Sequence, residues 1–124
     1  MLVRLTALAL AGALGTLSRY ALTHFAQPSG VRFPVGTFTV NIVGCLLFGI
    51  VWSLADTREL IGPEVRMIVL VGFMGAFTTF STLIFDTQQL ASASEWLMMA
   101  MNAGGQLALG LAMFGLGTWI GRIA

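Results

Sequence analysis

The chain is built of four apolar runs, each long enough to cross a bilayer, joined by short polar breaks. A hydrocarbon core of ~30 Å needs about 20 apolar residues in a helix. The runs cover about residues 5–25, 36–54, 65–90 and 95–120. Helices are the expected form, because an open strand cannot satisfy its backbone groups in lipid. The expected fold is a single all-α transmembrane domain over residues 1–124.

Composition supports a bilayer as the solvent. Hydrophobic residues make up 57% and charged residues 9% of the chain, and mean hydropathy is +0.92. A soluble domain is about 25% charged, so this chain lacks the residues to cover a water-facing surface. Net charge is +1, with six arginines and no lysine, which excludes a polybasic nucleic-acid surface. One cysteine, Cys45, excludes an intrachain disulfide and a Cys-based zinc site. It lies in an apolar stretch and reads as a small buried side chain.

The first run resembles a signal peptide: Arg4, then residues 5–14, then Ala13 and Gly15. Its apolar character resumes past Ser18 and Arg19 through Phe25, so it is read as a first span. Gln27-Pro28-Ser29-Gly30 marks the first turn. Asp56, Arg58 and Glu59 close the second run, and Gly62-Pro63-Glu64 opens the third, with Pro63 suited to a first helical turn. Ser92 or Ser94 is expected to cap the fourth helix. Tight spacing predicts that consecutive helices are antiparallel neighbours. Ala11-x-x-x-Gly15 and Gly117-x-x-x-Gly121 have the spacing for close backbone approach and indicate packing, without specifying partners.

Orientation is weakly encoded. Arg4, Arg58, Arg66 and Arg122 fall at one membrane face, and Arg32 with Arg19 toward the other. That is a mild bias under the positive-inside rule, and it permits insertion both ways up.

The third run carries the unusual chemistry: Gly72-Phe-Met-Gly-Ala-Phe-Thr-Thr-Phe-Ser-Thr82. A broken helix here would turn carbonyls and N–H groups toward a midplane ion site. A continuous helix whose hydroxyls bond the preceding turn accounts for the composition equally well. Asn41, preceded by Thr37 and Thr39, must find a partner in mid-span, either another helix or a water-filled path. Arg19 either snorkels to the headgroups or attracts anions at a pore mouth. Asn102 and Gln106 are one turn apart and share a face with Gly110, a polar stripe that suggests a lined pathway. Trp96 and Trp119 read as interfacial anchors, and His24, lacking a second ligand nearby, as an interfacial residue.

These residues carry a resemblance. Gly36-Thr-Phe-Thr-Val-Asn41-Ile-Val-Gly44, followed by Gly72-Phe-Met-Gly75-Ala-Phe-Thr78-Thr-Phe80-Ser81-Thr82, resembles the paired signature of the Fluc (CrcB-type) fluoride channels. The likeness extends to chain length and span count. It implies a third helix broken near mid-membrane and an antiparallel dual-topology dimer, either a homodimer or a heterodimer with a paralogue. It implies two pores and a central structural Na+ held by the main-chain carbonyls of Gly75 and Thr78. Asn41 would offer a side-chain donor to the fluoride path, Phe80 would be the first aromatic of a box, and Ser81 and Thr82 would line or support the path. Arg19 would stand at the vestibule. The implied role is passive export of cytoplasmic fluoride across the prokaryotic inner membrane, conferring resistance.

Departures concern the pore lining. A second phenylalanine often falls where this chain has Leu83, and Phe85 points to another face. Asp86 stands for a frequent glutamate, and Asn102, Gln106 and Gly110 for a stripe that often carries Tyr and Ser. Two other functions match parts of the sequence. A proton-coupled multidrug exporter needs a membrane-embedded carboxylate, and Asp86 is the only one in a span interior. A membrane scaffold would explain the small-residue packing, but not Asn41 or the Gly/Thr-rich run. An enzyme is not expected, since no nucleophile–base pair, metal cluster or phosphate loop is present.

Overall fold

The computed structural model describes residues 1–124. Helix α1 spans Leu2–Ala26, α2 Val35–Asp56 and α6 Trp96–Ile123. The third span, Pro63–Ser92, is not one helix. It starts as α3, Pro63–Met67, with Pro63 in the first turn, widens into a π-helical stretch, Ile68–Met74, and resumes as α4, Gly75–Phe77. After a two-residue interruption it continues as α5, Phe80–Ser92. All four spans are long and apolar enough to cross a membrane, so this is a multi-pass membrane protein.

The break in the third span is therefore real, and it falls at Thr78 (φ −83°, ψ 162°) and Thr79 (φ −151°, ψ 116°). Both are extended, a conformation that suits β-branched residues. The Thr78 hydroxyl also bonds the Met74 carbonyl one turn back, at 3.0 Å. Back-bonding and interruption thus coexist at neighbouring residues.

Helix pairing goes beyond the sequence expectation. Consecutive spans do touch, α1 with α2 and α5 with α6, but the most extensive packing joins alternate spans, which run parallel. Small residues decide this. A side chain at Gly15 would collide with the Phe73 carbonyl, and one at Gly72 would come within 2.9 Å of the Ala11 methyl, so α1 lies directly on the π-helical stretch. On the other side, Gly117 abuts the Leu46 carbonyl, and a methyl at Gly121 would sit 2.8 Å from that of Ile50. This brings α6 onto α2.

The fourth helix is not capped by Ser92 or Ser94. Its N-cap is Glu95, without a side-chain bond, and Ser94 (φ 59°) is spent on the tight left-handed turn between the spans. His24 is exposed and stacks on Tyr20.

Buried apolar side chains are few, centred on Val40, Leu70, Met74 and Phe77. Large apolar groups such as Leu14, Val71, Phe80, Trp96 and Leu107 face outward. Lipid or another protein must cover such a surface. Ion pairs gather at the two ends: Arg4–Glu64 (2.8 Å) and Arg66–Asp56 (3.8 Å) at one, Arg32–Glu95 (2.9 Å) at the other. Arg58 joins the first end by donating to the Arg122 carbonyl.

Candidate functional site

Interrupting a helix in a bilayer orphans backbone groups that water cannot reach. The chain meets this with Asn41 of α2. Its Oδ1 accepts from the Thr79 N–H at 2.9 Å, and its Nδ2 donates to the Thr79 carbonyl at 3.0 Å. One side-chain amide thereby pairs with both backbone groups of one residue, as a neighbouring strand would. Gly44, one turn further along α2, makes room for the Thr78 methyl, which any side chain at that position would strike.

The interruption redirects two other donors. In a continuous helix the Thr79 N–H would bond the Gly75 carbonyl, and the Thr82 N–H the Thr78 carbonyl. The first goes to Asn41 instead, and the second to the Thr79 hydroxyl at 3.3 Å, which caps α5. The carbonyls of Gly75 and Thr78, the two singled out from the sequence, are thus left without their helical donors. Their oxygens are the hard, neutral ligands that an alkali cation accepts, so these residues fit a sodium ion. Across the break, α5 presents its N-terminal N–H groups, the positive end of the helix dipole.

The second half of the site is a chain of side-chain amides. Asn41 Nδ2 gives its other hydrogen to Gln106 Oε1 at 2.7 Å. Gln106 Nε2 donates to Asn102 Oδ1 at 2.8 Å, and Asn102 Nδ2 to Thr87 Oγ1 at 2.9 Å. The Thr87 hydroxyl ends the chain on the Leu83 carbonyl at 2.7 Å. Asn102 and Gln106 are both buried. The stripe expected to line a path is, within one protomer, largely bonded to itself. Asn41 has both amide hydrogens committed, whereas Gln106 Nε2 keeps one.

Beside this network runs an open groove of about 650 Å³. Asn41, Thr78, Thr79 and Gln106 are its polar members, and Phe48, Phe80, Leu83, Ile84, Leu107 and Phe114 form apolar walls. Phe80 is 77% exposed, and Ser81 is exposed beside it. Thr82 is half-buried, with its hydroxyl 3.0 Å from that of Thr79. Leu83 lines the wall where an aromatic was expected, and its carbonyl anchors the amide chain. Cys45 is half-buried on the groove wall, less enclosed than its apolar neighbours suggested.

Two sequence candidates lie away from the groove. Thr39 is half-buried on α2, and two residues along a helix from Asn41 it turns to a different face. Arg19 is half-buried on α1, without a hydrogen-bonded or ionic partner. Thr79 and Thr87 were missed as site residues. Thr87 is one turn beyond Leu83, and the same helical spacing that linked Asn102 to Gln106 could have flagged it.

The fold is that of a small polytopic membrane protein of four helical spans, with a side-chain-braced break in the third. The family described as CrcB-like protein, Camphor Resistance (CrcB), matches residues 6–118. A protein of Nitrosococcus oceani named fluoride-specific ion channel FluC is 54% identical over 121 residues, 97% of each chain. Proteins of the same name from Nitratidesulfovibrio vulgaris and Solidesulfovibrio magneticus are 49% and 47% identical, covering 97% and 99% of this chain and 98% and 99% of their own. The chain belongs to the CrcB-like family.

Proposed function

We propose that this chain is a passive fluoride-selective channel of the prokaryotic inner membrane, working as an antiparallel dual-topology homodimer and exporting fluoride from the cytoplasm. The observation that carries the reading is the braced break, which sets orphaned carbonyls on one side and hydrogen-bond donors on the other. Relatives over nearly the full chain are named as fluoride-specific channels, which supports the choice of ion.

Fluoride is small and strongly hydrated, so a narrow path must replace its water with donors. Those within reach of the groove are the free N–H groups at the start of α5, the hydroxyls of Ser81 and Thr82 and the remaining Gln106 hydrogen. The positive edge of the exposed Phe80 ring is a weaker substitute. Asn41 contributes by holding the break, with both of its amide hydrogens committed. Binding must stay weak enough for the ion to leave.

The carbonyls of Gly75 and Thr78 would hold the sodium ion, once from each subunit, and the ion would tie the two breaks together as a structural element. Gly75 is exposed on the protomer surface, as a shared site requires. The apolar groove walls and Phe80 are the surface a second copy would cover. The arginine bias between the two ends is mild, four against two, and permits insertion in both orientations. Hydrofluoric acid enters a cell neutral and dissociates inside, and the membrane potential then drives the trapped anion out through a passive pore.

The test is fluoride efflux from liposomes holding the purified protein, read by a fluoride electrode, with chloride efflux in parallel. Fast fluoride release without chloride release is expected. Absence of fluoride release from verified folded dimers would overturn the homodimeric channel, and recovery on adding a paralogue would redirect it to a heterodimer.

A further inference from the structure

The amide chain has a direction, and that direction is fixed at both ends. At one end, the Thr79 N–H can only donate, so the atom of Asn41 facing it must be oxygen. At the other, the atom of Asn102 that meets the Thr87 hydroxyl at 2.9 Å also faces the Leu83 carbonyl at 3.5 Å, which can only accept, so that atom must be nitrogen. Gln106 lies between, accepting from Asn41 and donating to Asn102. Turning any one amide over would set oxygen against oxygen and N–H against N–H in a buried place, and each mismatch carries the cost of an unsatisfied polar group. Turning all three would still leave the Thr79 N–H facing a donor.

We infer that Gln106 and Asn102 are positioning residues that lock the orientation of Asn41, and through it keep the Gly75 carbonyl free for a cation. The path of influence is continuous. The Leu83 carbonyl orients Asn102, Asn102 orients Gln106, and Gln106 orients Asn41. Asn41 takes the Thr79 N–H that would otherwise close on Gly75. The fourth helix thereby sets the state of a break in the third, with no contact of its own to the Gly75 carbonyl. A hydroxyl at position 106, being shorter and free to rotate, could not impose this direction. The Asn/Gln pair does so because each amide has one accepting and one donating end. This rests on the reading of the break as an ion site.

The test is amide hydrogen exchange on the purified protein in detergent, resolved at Thr79, with Thr78 as an internal control because its N–H bonds the Met74 carbonyl and not the amide chain. Gln106→Met keeps the length and removes the hydrogen bonds. Thr79 should exchange about tenfold faster in it and Thr78 unchanged, as expected when one buried hydrogen bond loses its support. Gln106→Glu keeps the acceptor for Asn41 but loses the donor to Asn102, so Thr79 should exchange at a rate between those of the parent and Gln106→Met. Asn102→Leu, one step further off, should accelerate Thr79 by a smaller factor and serves if Gln106→Met does not fold. The sodium concentration that gives half-maximal thermal stabilisation should rise in the order of the exchange rates. Unchanged Thr79 exchange in a folded Gln106→Met or Asn102→Leu, or equal acceleration in the Met and Glu variants, overturns the lock. A wild-type protein that shows the exchange pattern but passes no fluoride would sink the channel reading and leave the lock standing.

Discussion

The two parallel helix pairs are held by different means. α1 meets the first half of the third span through close packing of uncharged residues: Gly15 against Phe73 and Ala76, Gly72 against Ala11 and Leu8. No side-chain hydrogen bond joins them within the span, only the Arg4–Glu64 pair at the rim. α2 meets α6 through glycines at one end, Gly49, Gly117 and Gly121. Toward the membrane middle that contact gives way to the amides of Asn41 and Gln106. The first pair is shape without polarity, and the second combines both along one interface. In lipid, where apolar burial gives helices no net preference for one another, shape fixes which helices meet. Buried hydrogen bonds then fix one arrangement of the groups they join, because every alternative leaves an unpaired donor or acceptor.

Substitution at the two glycine contacts should give the largest effects and tests whether shape alone sustains both pairs. Gly117→Leu would drive a side chain into the Leu46 main chain, and Gly15→Leu into that of Phe73. Backbone cannot give way as a side chain can, so each should exceed the ~1–3 kcal/mol of ordinary overpacking. Both variants should fail to yield a monodisperse, helical species by size exclusion and circular dichroism. If Gly15→Leu melts within a few degrees of the parent while Gly117→Leu does not, α1 is a peripheral helix and the two pairs are not equivalent.

Asn41→Leu attacks the polar interface only. It strands the Thr79 N–H, the Thr79 carbonyl and the Gln106 acceptor, and stability should fall by about 2 kcal/mol or more. Asn41→Asp keeps an acceptor for Thr79 while losing both donors, and should melt between the two. Fluoride efflux should be lost in the Leu variant. An Asn41→Leu protein as stable as the parent would mean that the break supports itself, and that the amide chain adds nothing to the second pair.

How much of this was legible follows the same division. Span positions came through to within a few residues, because apolar runs and turn residues are local signals. The third span drew attention through its glycines and hydroxyls, yet composition could not choose between a continuous and a broken helix. The choice is made by Asn41, which is distant in sequence. Asn102 and Gln106 were recognised as sharing a face, but what they face depends on α2 and α5 meeting there. The π-helical stretch Ile68–Met74 left no signature, since its apolar residues suit an α-helix equally well. Alternate-span pairing was missed because small-residue spacing tells that a helix packs closely, not against which partner.

Phe80→Ala should separate function from protomer stability. The ring is 77% exposed, so the isolated fold should keep its melting temperature to within the ~0.5 kcal/mol typical of surface changes. Efflux should nonetheless fall at least about tenfold if the ring edge faces the ion or seats against a second copy. Equal efflux in the parent and Phe80→Ala would remove the ring from the path and leave the hydroxyls and Gln106 to replace the ion's water.

The smallest effect is expected at the rim of the first pair, where Arg4 reaches Glu64 at 2.8 Å with both side chains more than half exposed. Exposed pairs contribute about 0.2–1 kcal/mol, less in salt. Glu64 also sits in the first turn of α3, where a carboxylate favours the helix dipole. Glu64→Gln should therefore cost slightly more than Arg4→Gln, and the double variant less than their sum, by a few tenths of a kcal/mol that fade as salt is raised. A double-mutant cycle of melting temperatures in detergent measures this coupling. A coupling above about 1 kcal/mol, insensitive to salt, would mean that the first pair is not held by shape alone. Its contrast with the hydrogen-bonded second pair would then be one of degree.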